Sequence, residues 1–330
     1  MQNARIPEEE KVLKLEGVSI STKHAAHHLV GPVSFEVRAG EIFGIVGESG
    51  SGKTLTGLAI PRLLPKQLSL SGRIALDGRE LTSLSEQDMR GVRGQLVTVI
   101  FQEPASALNP VFTVGAQIEA VIRANTDLRG DAVRKRMHDL LSRAGIPDPE
   151  QRARAYPHQF SGGMCQRVMI AMALASGARL LIADEPTTAL DVTIQAQIVD
   201  LLLKLAAEEQ LTVIFVSHDL GLIAETCDRI AVFYAGQVVE VGTAEDIIHR
   251  PRHPYTEALV AATPDMTEVG KLLQGIPGQP PLAGRWPDGC RFSNRCPKAQ
   301  AECSRPQEMR HLSDGRGVRC ILADDAGEMQ

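Results

Sequence analysis

The octapeptide Gly47-Glu-Ser-Gly-Ser-Gly-Lys-Thr54 limits what this chain can fold into more than any other stretch. It fits G-x-x-x-x-G-K-[ST] and has the surroundings that pattern needs: a β-rich run, Glu41–Val46, leads in, and a helical pattern from Lys53 to about Leu64 leads out. The glycines let successive backbone N–H groups wrap a phosphate chain, and the start of the helix adds positive potential. Gly47, Ser49, Gly50, Ser51, Gly52, Lys53 and Thr54 are therefore the expected nucleotide contacts. Lys53 is expected to reach the β- and γ-phosphates, and the Thr54 hydroxyl to ligate Mg²⁺.

The rest of the chain alternates in kind with this unit. Leu13–Ile20, Val33–Val37 and Gly72–Gly78 read as strands, and Leu96–Phe101, Leu180–Ala183, Thr212–Val216 and Arg229–Phe233 as buried ones. Between them the period turns helical. Val114, Ile118 and Val121 share one face behind a Thr113 cap, and Val133, Met137, Leu140 and Leu141 share another that stops at Gly145. Near-continuous apolar strands alternating with helices predict an α/β fold with a parallel sheet covered on both faces. At about Pro251 the composition shifts to proline, glycine, cysteine and arginine, which predicts a separate small module over 251–330.

Composition excludes several classes. The 330 residues carry a formal charge of −5, the opposite of the basic excess of a nucleic-acid binder. No apolar run reaches the roughly 18–20 residues of a membrane span, and the amino terminus lacks the apolar core of a secretory leader. The expectation is a cytoplasmic chain that a partner holds at the membrane.

Three further elements carry chemistry. Asp184 and Glu185 end the strand that begins at Leu180; Asp184 is expected to hold Mg²⁺, directly or through water, and Glu185 to polarise an attacking water. Gln102, after Leu96–Phe101, is placed to reach metal and water, and His218, after the next buried strand, to sense the γ-phosphate. Phe160-Ser-Gly-Gly-Met-Cys-Gln-Arg167 puts a Ser-Gly-Gly turn at the head of a long apolar helix.

In this order the residues resemble the nucleotide-binding subunit of an ABC transporter. The Walker A loop is Gly47–Thr54 and the Q-loop residue Gln102; the signature is Ser161, Gly162, Gly163 and Met164. Walker B is Leu180–Asp184 with Glu185 as base, the D-loop contains Asp191, and His218 is the switch histidine. The resemblance implies a P-loop ABC ATPase cassette over 1–250: a RecA-like parallel-sheet core, a β subdomain, and a helical subdomain inserted at about 104–176. It also implies two ATPs between two cassettes, each held by the Walker A loop of one and the signature of the other. Phe101–Val111, Tyr156–Met164, His253–Leu259 and Gly289–Ala299 are similar to dipeptide/oligopeptide importer ATPases. That subfamily implies two transmembrane permease subunits, a second cassette (a different chain favoured over an identical copy) and, indirectly, an extracytoplasmic solute-binding protein. It also implies a peripheral place on the cytoplasmic face of the inner membrane, with Gln102–Val111 receiving the permease. Peptides are the expected cargo, with nickel, glutathione or oligosaccharide as alternatives. A soluble ABC ATPase of ribosomes or DNA is the competing class, but it usually carries two cassettes or long heptad-rich insertions.

The sequence departs from the family pattern at three points. Met164 stands for the general glutamine, Cys165 for the usual arginine, and no aromatic residue offers itself to stack on adenine, where only His24, His27 and His28 are available. The tail holds Cys290-x₅-Cys296-x₆-Cys303-x₁₆-Cys320 in a segment too broken to bury much apolar surface. In a reducing compartment such a cluster points to metal. The absence of close Cys-x₂₋₄-Cys pairs favours a [4Fe–4S] cluster, with zinc as the alternative.

Overall fold

The computed structural model describes residues 11–23, 28–187, 191–264 and 275–323. The chain divides into two compact units, one formed by Met1–Ser83 with Phe215–Gln330, the other by Leu84–Ile214. No helix among the described residues is long and apolar enough to cross a membrane.

In the first unit β1 (Lys11–Thr22) pairs antiparallel with β2 (His28–Arg38) on one side and β4 (Leu68–Leu76) on the other, and the short β5 (Arg79–Glu80) extends the sheet. Leu13, Leu15, Val18 and Ile20 of β1 face the core. Lys14, Glu16 and Ser19 lie between them, and Lys14 pairs there with Glu16 (2.6 Å). This is the alternation of a sheet with one wet face.

The sheet that carries the glycine-rich loop reads differently. β3 (Ile42–Val46) runs parallel to β9 (Arg229–Tyr234), which turns into the antiparallel β10 (Gln237–Thr243). Phe43, Ile45, Val46 and Ile230 through Phe233 are all buried, as a sheet covered on both faces requires. The chain beyond 300 joins the same sheet, for β12 (Gly317–Val318) pairs with Glu240 and Val241 of β10. Helix α1 (Lys53–Ala59) is shorter than its sequence pattern, which ran to about Leu64. Pro61 supplies no N–H, and Arg62 turns left-handed at φ 54°, so the helix cannot continue.

In the second unit β6 (Val97–Ile100) and β7 (Leu180–Asp184) pair in parallel from Val97↔Leu180 to Ile100↔Ala183. Its helices are α2 (Glu86–Val92), α3 (Pro104–Ala107), α4 (Val114–Asn125), α5 (Asp131–Arg143), α6 (Pro149–Arg152), α7 (Gly162–Ala175) and α8 (Val192–Glu208). Thr113 caps α4, its hydroxyl accepting from the Ala116 N–H at 3.3 Å. Gly145, at φ 71°, closes α5. The buried stripe of α4 is Val114, Ile118 and Ile122, not Val121. Gly115 is buried as well, which turns the centre of the buried face towards Ile118 and Ile122 and leaves Val121 half-buried at its edge. Each such side chain, fully withdrawn from water, contributes about 1.5–3 kcal/mol. β8 (Thr212–Ser217) begins in this unit and ends in the first, where α9 (Leu220–Thr226), α10 (Ala244–His249) and α11 (Pro254–Ala261) follow.

Candidate functional site

Gly47 leaves β3 at φ 154°, and a Cβ there would collide with the carbonyl oxygen of Phe233 on β9. Gly50 and Gly52 follow in the left-handed region at φ 76° and 97°, open to glycine at no steric cost. The loop therefore curls back over its own start. Lys53 is buried, and its Nζ donates to the carbonyls of Gly47 (2.8 Å) and Glu48 (3.1 Å). Ser51 Oγ is buried with no hydrogen-bond partner among the described residues, an orphan that an incoming phosphate oxygen would satisfy. Ser49 and Gly50 stand exposed at the mouth. Arg295 and Tyr255, 247 and 207 residues further along the chain, hold Glu48 in place, and no local sequence pattern signals either.

The second unit holds the carboxylates. Asp184 is buried at the end of β7, and Glu185 follows in a left-handed conformation at φ 45°. Gln102, just after β6, donates from Nε2 to Glu185 Oε2 at 2.9 Å. The parallel register of β6 and β7 thus brings together two residues 83 positions apart. Within this unit the carboxylate of Asp184 and the amide oxygen of Gln102 are hard oxygen donors of the kind Mg²⁺ takes.

Ser161 caps α7, its hydroxyl accepting from the Met164 N–H at 3.4 Å. Ser161 and Gly162 are exposed, so the start of this helix is open. Cys165 points the other way: its thiol is buried, donates to the Pro157 carbonyl (3.6 Å), and has its pKa raised by that burial. The cysteine is packing inside its own chain. Asp191 caps α8 through the Ile194 N–H (3.0 Å), and Ile194 lies so close to Gly163 that a Cβ there would meet it at 2.8 Å. His218 is exposed beyond β8, where Asp219 caps α9 by accepting from the Leu222 N–H at 3.1 Å. Gly47–Thr54 and His218 belong to the first unit; Gln102, Ser161–Met164, Asp184, Glu185 and Asp191 belong to the second. Of the histidines weighed for adenine, His24 and His27 lie outside the described residues, and His28 Nδ1 is engaged with Ser21 Oγ at 3.0 Å.

The sequence profile of the ABC transporter family matches residues 30–188, and that of the oligopeptide/dipeptide transporter C-terminal region matches 239–303. The chain is 44% identical over 324 residues to the dipeptide transport ATP-binding protein DppD of Bacillus subtilis (strain 168), covering 97% of each. The chain belongs to the ATP-binding subunits of ABC transporters. Escherichia coli (strain K12) DppD is 46% identical, over 94% of this chain and 96% of its own. A putative peptide import ATP-binding protein of Brucella abortus (strain 2308) is 48% identical over 88% of both chains. Among solved structures, the dimeric ATP-binding cassette MJ0796 with ADP and Pi is 29% identical with a TM-score of 0.63, covering 70% of this chain and 98% of that one. CbiO1 of Clostridium perfringens gives a TM-score of 0.65 at 28% identity, covering 73% of this chain and 92% of that one. As an ABC ATPase the chain hydrolyses ATP with Mg²⁺, and subunits of this type work with membrane permeases.

The metal centre expected in the cysteine tail is not shown. Among the described residues no group of three or more His, Cys, Asp or Glu side chains is placed to hold a metal ion. Cys290, Cys296, Cys303 and Cys320 are free thiols. Burial pushes Cys290 up to about 11 and raises Cys296 and Cys320, with the neighbouring cysteines adding to each. The [4Fe–4S] or zinc expectation came from spacing, and spacing does not fix where the sulfurs point.

Proposed function

We propose that this chain is the ATP-hydrolysing subunit of a peptide importer, working on the cytoplasmic face of the membrane against a separate permease. The observation that carries the reading is the continuity of the match. Relatives named for dipeptide or peptide import align over nearly all of both chains, and the C-terminal region of oligopeptide/dipeptide transporters is included. Gly47 and Ser49–Thr54 bind the triphosphate, with Lys53 on the β- and γ-phosphates. Thr54, Gln102 and Asp184 are the residues that would hold Mg²⁺, which would supply charge neutralisation at the phosphates. Glu185 takes up the proton of the attacking water, with Gln102 fixing its carboxylate, and His218 contacts the γ-phosphate. Ser161–Met164 and Asp191 serve the nucleotide of a second cassette, and the open start of α7 supports that role. We place the cassette at 1–250, with the helical insertion at about 104–176, and the importer-type extension at 251–330.

Phe101, Val111 and Phe112 stand exposed around α3 and form the surface we assign to the permease. The second cassette is a different chain, and the cargo reaches the permease on an extracytoplasmic binding protein. For the tail we retain a [4Fe–4S] cluster, with zinc as the alternative. Its support is the backbone N–H groups of Phe292, Lys298 and Leu322, which hydrogen-bond the sulfurs of Cys290, Cys296 and Cys320. Anaerobically purified protein then contains iron and absorbs broadly in the visible; metal-free protein overturns the cluster. The importer reading is tested by pulling down tagged Glu185→Gln protein with ATP from gently solubilised native membranes. Two multi-span permease subunits and a second cassette are expected. Ribosomes, DNA-repair factors or no membrane protein would contradict it.

A further inference from the structure

The glycine-rich loop does not rest on β3 and α1 alone. Its second residue, Glu48, puts a carboxylate into a loop whose ligand is itself strongly anionic, and Arg295 answers that charge. Its guanidinium forks onto Glu48, Nη1 to Oε2 at 2.7 Å and Nη2 to Oε1 at 3.0 Å. The same side chain donates to Pro277 O (2.8 Å), Ile276 O (3.2 Å) and the Tyr234 hydroxyl (3.3 Å), so every guanidinium N–H has an acceptor. Arg295 is 5% exposed and Glu48 25%, so solvent screens this pair little. The Glu48 N–H donates to the Tyr255 hydroxyl at 3.0 Å, and the Tyr255 ring packs on Tyr234 and Phe292.

A second strut reaches the other end of the loop. The Gly236 N–H donates to Ser51 O at 3.0 Å. Gly236 has φ 77°, and a Cβ there would run into the Trp286 ring. Arg291 stacks on that ring at 3.5 Å and donates to Ala235 O (2.5 Å) and Gly31 O (3.0 Å). Trp286, Arg291, Phe292 and Arg295 thus come from one short C-terminal stretch; Arg295 meets the loop directly, and the others reach it through Gly236 and Tyr255.

We infer that residues 286–295 brace the phosphate loop, and that Arg295 is a positioning residue for ATP binding that acts by neutralising and orienting Glu48. The inference rests on the reading of the loop as an ATP site. Without the guanidinium, the Glu48 carboxylate is left uncompensated beside the incoming phosphates and repels them. Removing both charges together restores the balance. Arg295 touches no reacting atom, so its loss acts on KM for ATP and not on kcat.

The test is titration of a fluorescent ATP analogue into the full-length chain, with ATP turnover measured on the same proteins. Wild type is expected to bind and Lys53→Ala to fail. Arg295→Gln is expected to bind about ten-fold more weakly, with KM raised to match and kcat within about two-fold. The double variant Glu48→Gln/Arg295→Gln is expected within about three-fold of wild type. Wild-type affinity in Arg295→Gln overturns the inference, and so does a double variant as weak as the single. If Arg295→Gln does not accumulate folded, Arg295→Lys carries the test: it keeps the charge but cannot span both carboxylate oxygens. A three-fold or greater weakening in it supports the brace, and wild-type affinity overturns it. Failure of wild type itself to bind the analogue would sink the ATP-site reading instead.

Discussion

Glu185 is a non-glycine residue at φ 45°, a conformation that costs energy and persists where its neighbours enforce it. Gln102 supplies part of that enforcement through its 2.9 Å bond to the carboxylate. An acid held this way is ready to orient a water without first moving. Glu185→Gln is expected to lower ATP turnover by about 10²–10⁴-fold, the usual contribution of a positioned base, while ATP affinity stays near wild type. Steady-state turnover and analogue titration check both halves; full turnover in the variant would remove Glu185 from the chemistry. Gly47, Gln102, Asp184 and His218 could be nominated from sequence because each ends or follows a strand within a short motif, and Ser161 and Asp191 because each heads a helix. What the sequence hid was the direction of side chains. Cys165 stands in the signature yet faces the Pro157 carbonyl. Glu48, silent in the motif, anchors the loop to Arg295.

Among the elements, the stretch from α3 to α4 is built to present an apolar surface. Gln117 of α4 accepts from the Asn109 N–H at 2.9 Å and donates to the carbonyls of Asn109 (3.0 Å) and Phe112 (3.1 Å). Those bonds fix the loop with Val111 70% and Phe112 54% exposed. Large apolar side chains held outward by a satisfied backbone suit a partner's surface. Val111→Asp with Phe112→Asp is expected to abolish permease capture in the membrane pull-down and to leave ATP affinity unchanged. Undiminished capture would place the interface elsewhere. Strands and helix faces were readable from hydrophobic period because burial enforces it. Helix ends were less so: α1 ends at Ala59, ahead of Pro61, although its apolar pattern continues.

At the scale of the whole molecule, two buried groups of the first unit, Glu240 and His253, tie stability to pH. Burial raises Glu240 from 4.5 to about 7, although the N–H groups of Arg252 (2.8 Å) and His253 (2.9 Å) donate to its carboxylate. Burial lowers His253 from 6.5 to about 3, with Arg319 adding to it. The Glu240 contribution to stability is complete below pH 4.5 and is lost as pH rises to about 7. The His253 contribution is complete above pH 6.5 and is lost as pH falls towards 3. Between those limits the slopes oppose. Glu240→Gln is therefore expected to become more stable with rising pH from 4.5 to 6.5, by up to about 1.4 kcal/mol per unit. His253→Gln is expected to show the reverse slope. Urea midpoints across that range check the sign, and parallel profiles for the two variants would contradict it. Nothing in the sequence announced this pair or the braces from Trp286, Arg291 and Arg295, since such contacts join positions far apart in the chain. On this reading ATP bound at Gly47–Thr54 drives peptide import. The most direct measurement is uptake of a labelled dipeptide by cells whose only copy of this chain carries Lys53→Ala. Uptake is predicted to fall to the level of cells lacking the chain. Wild-type uptake in those cells would contradict the account.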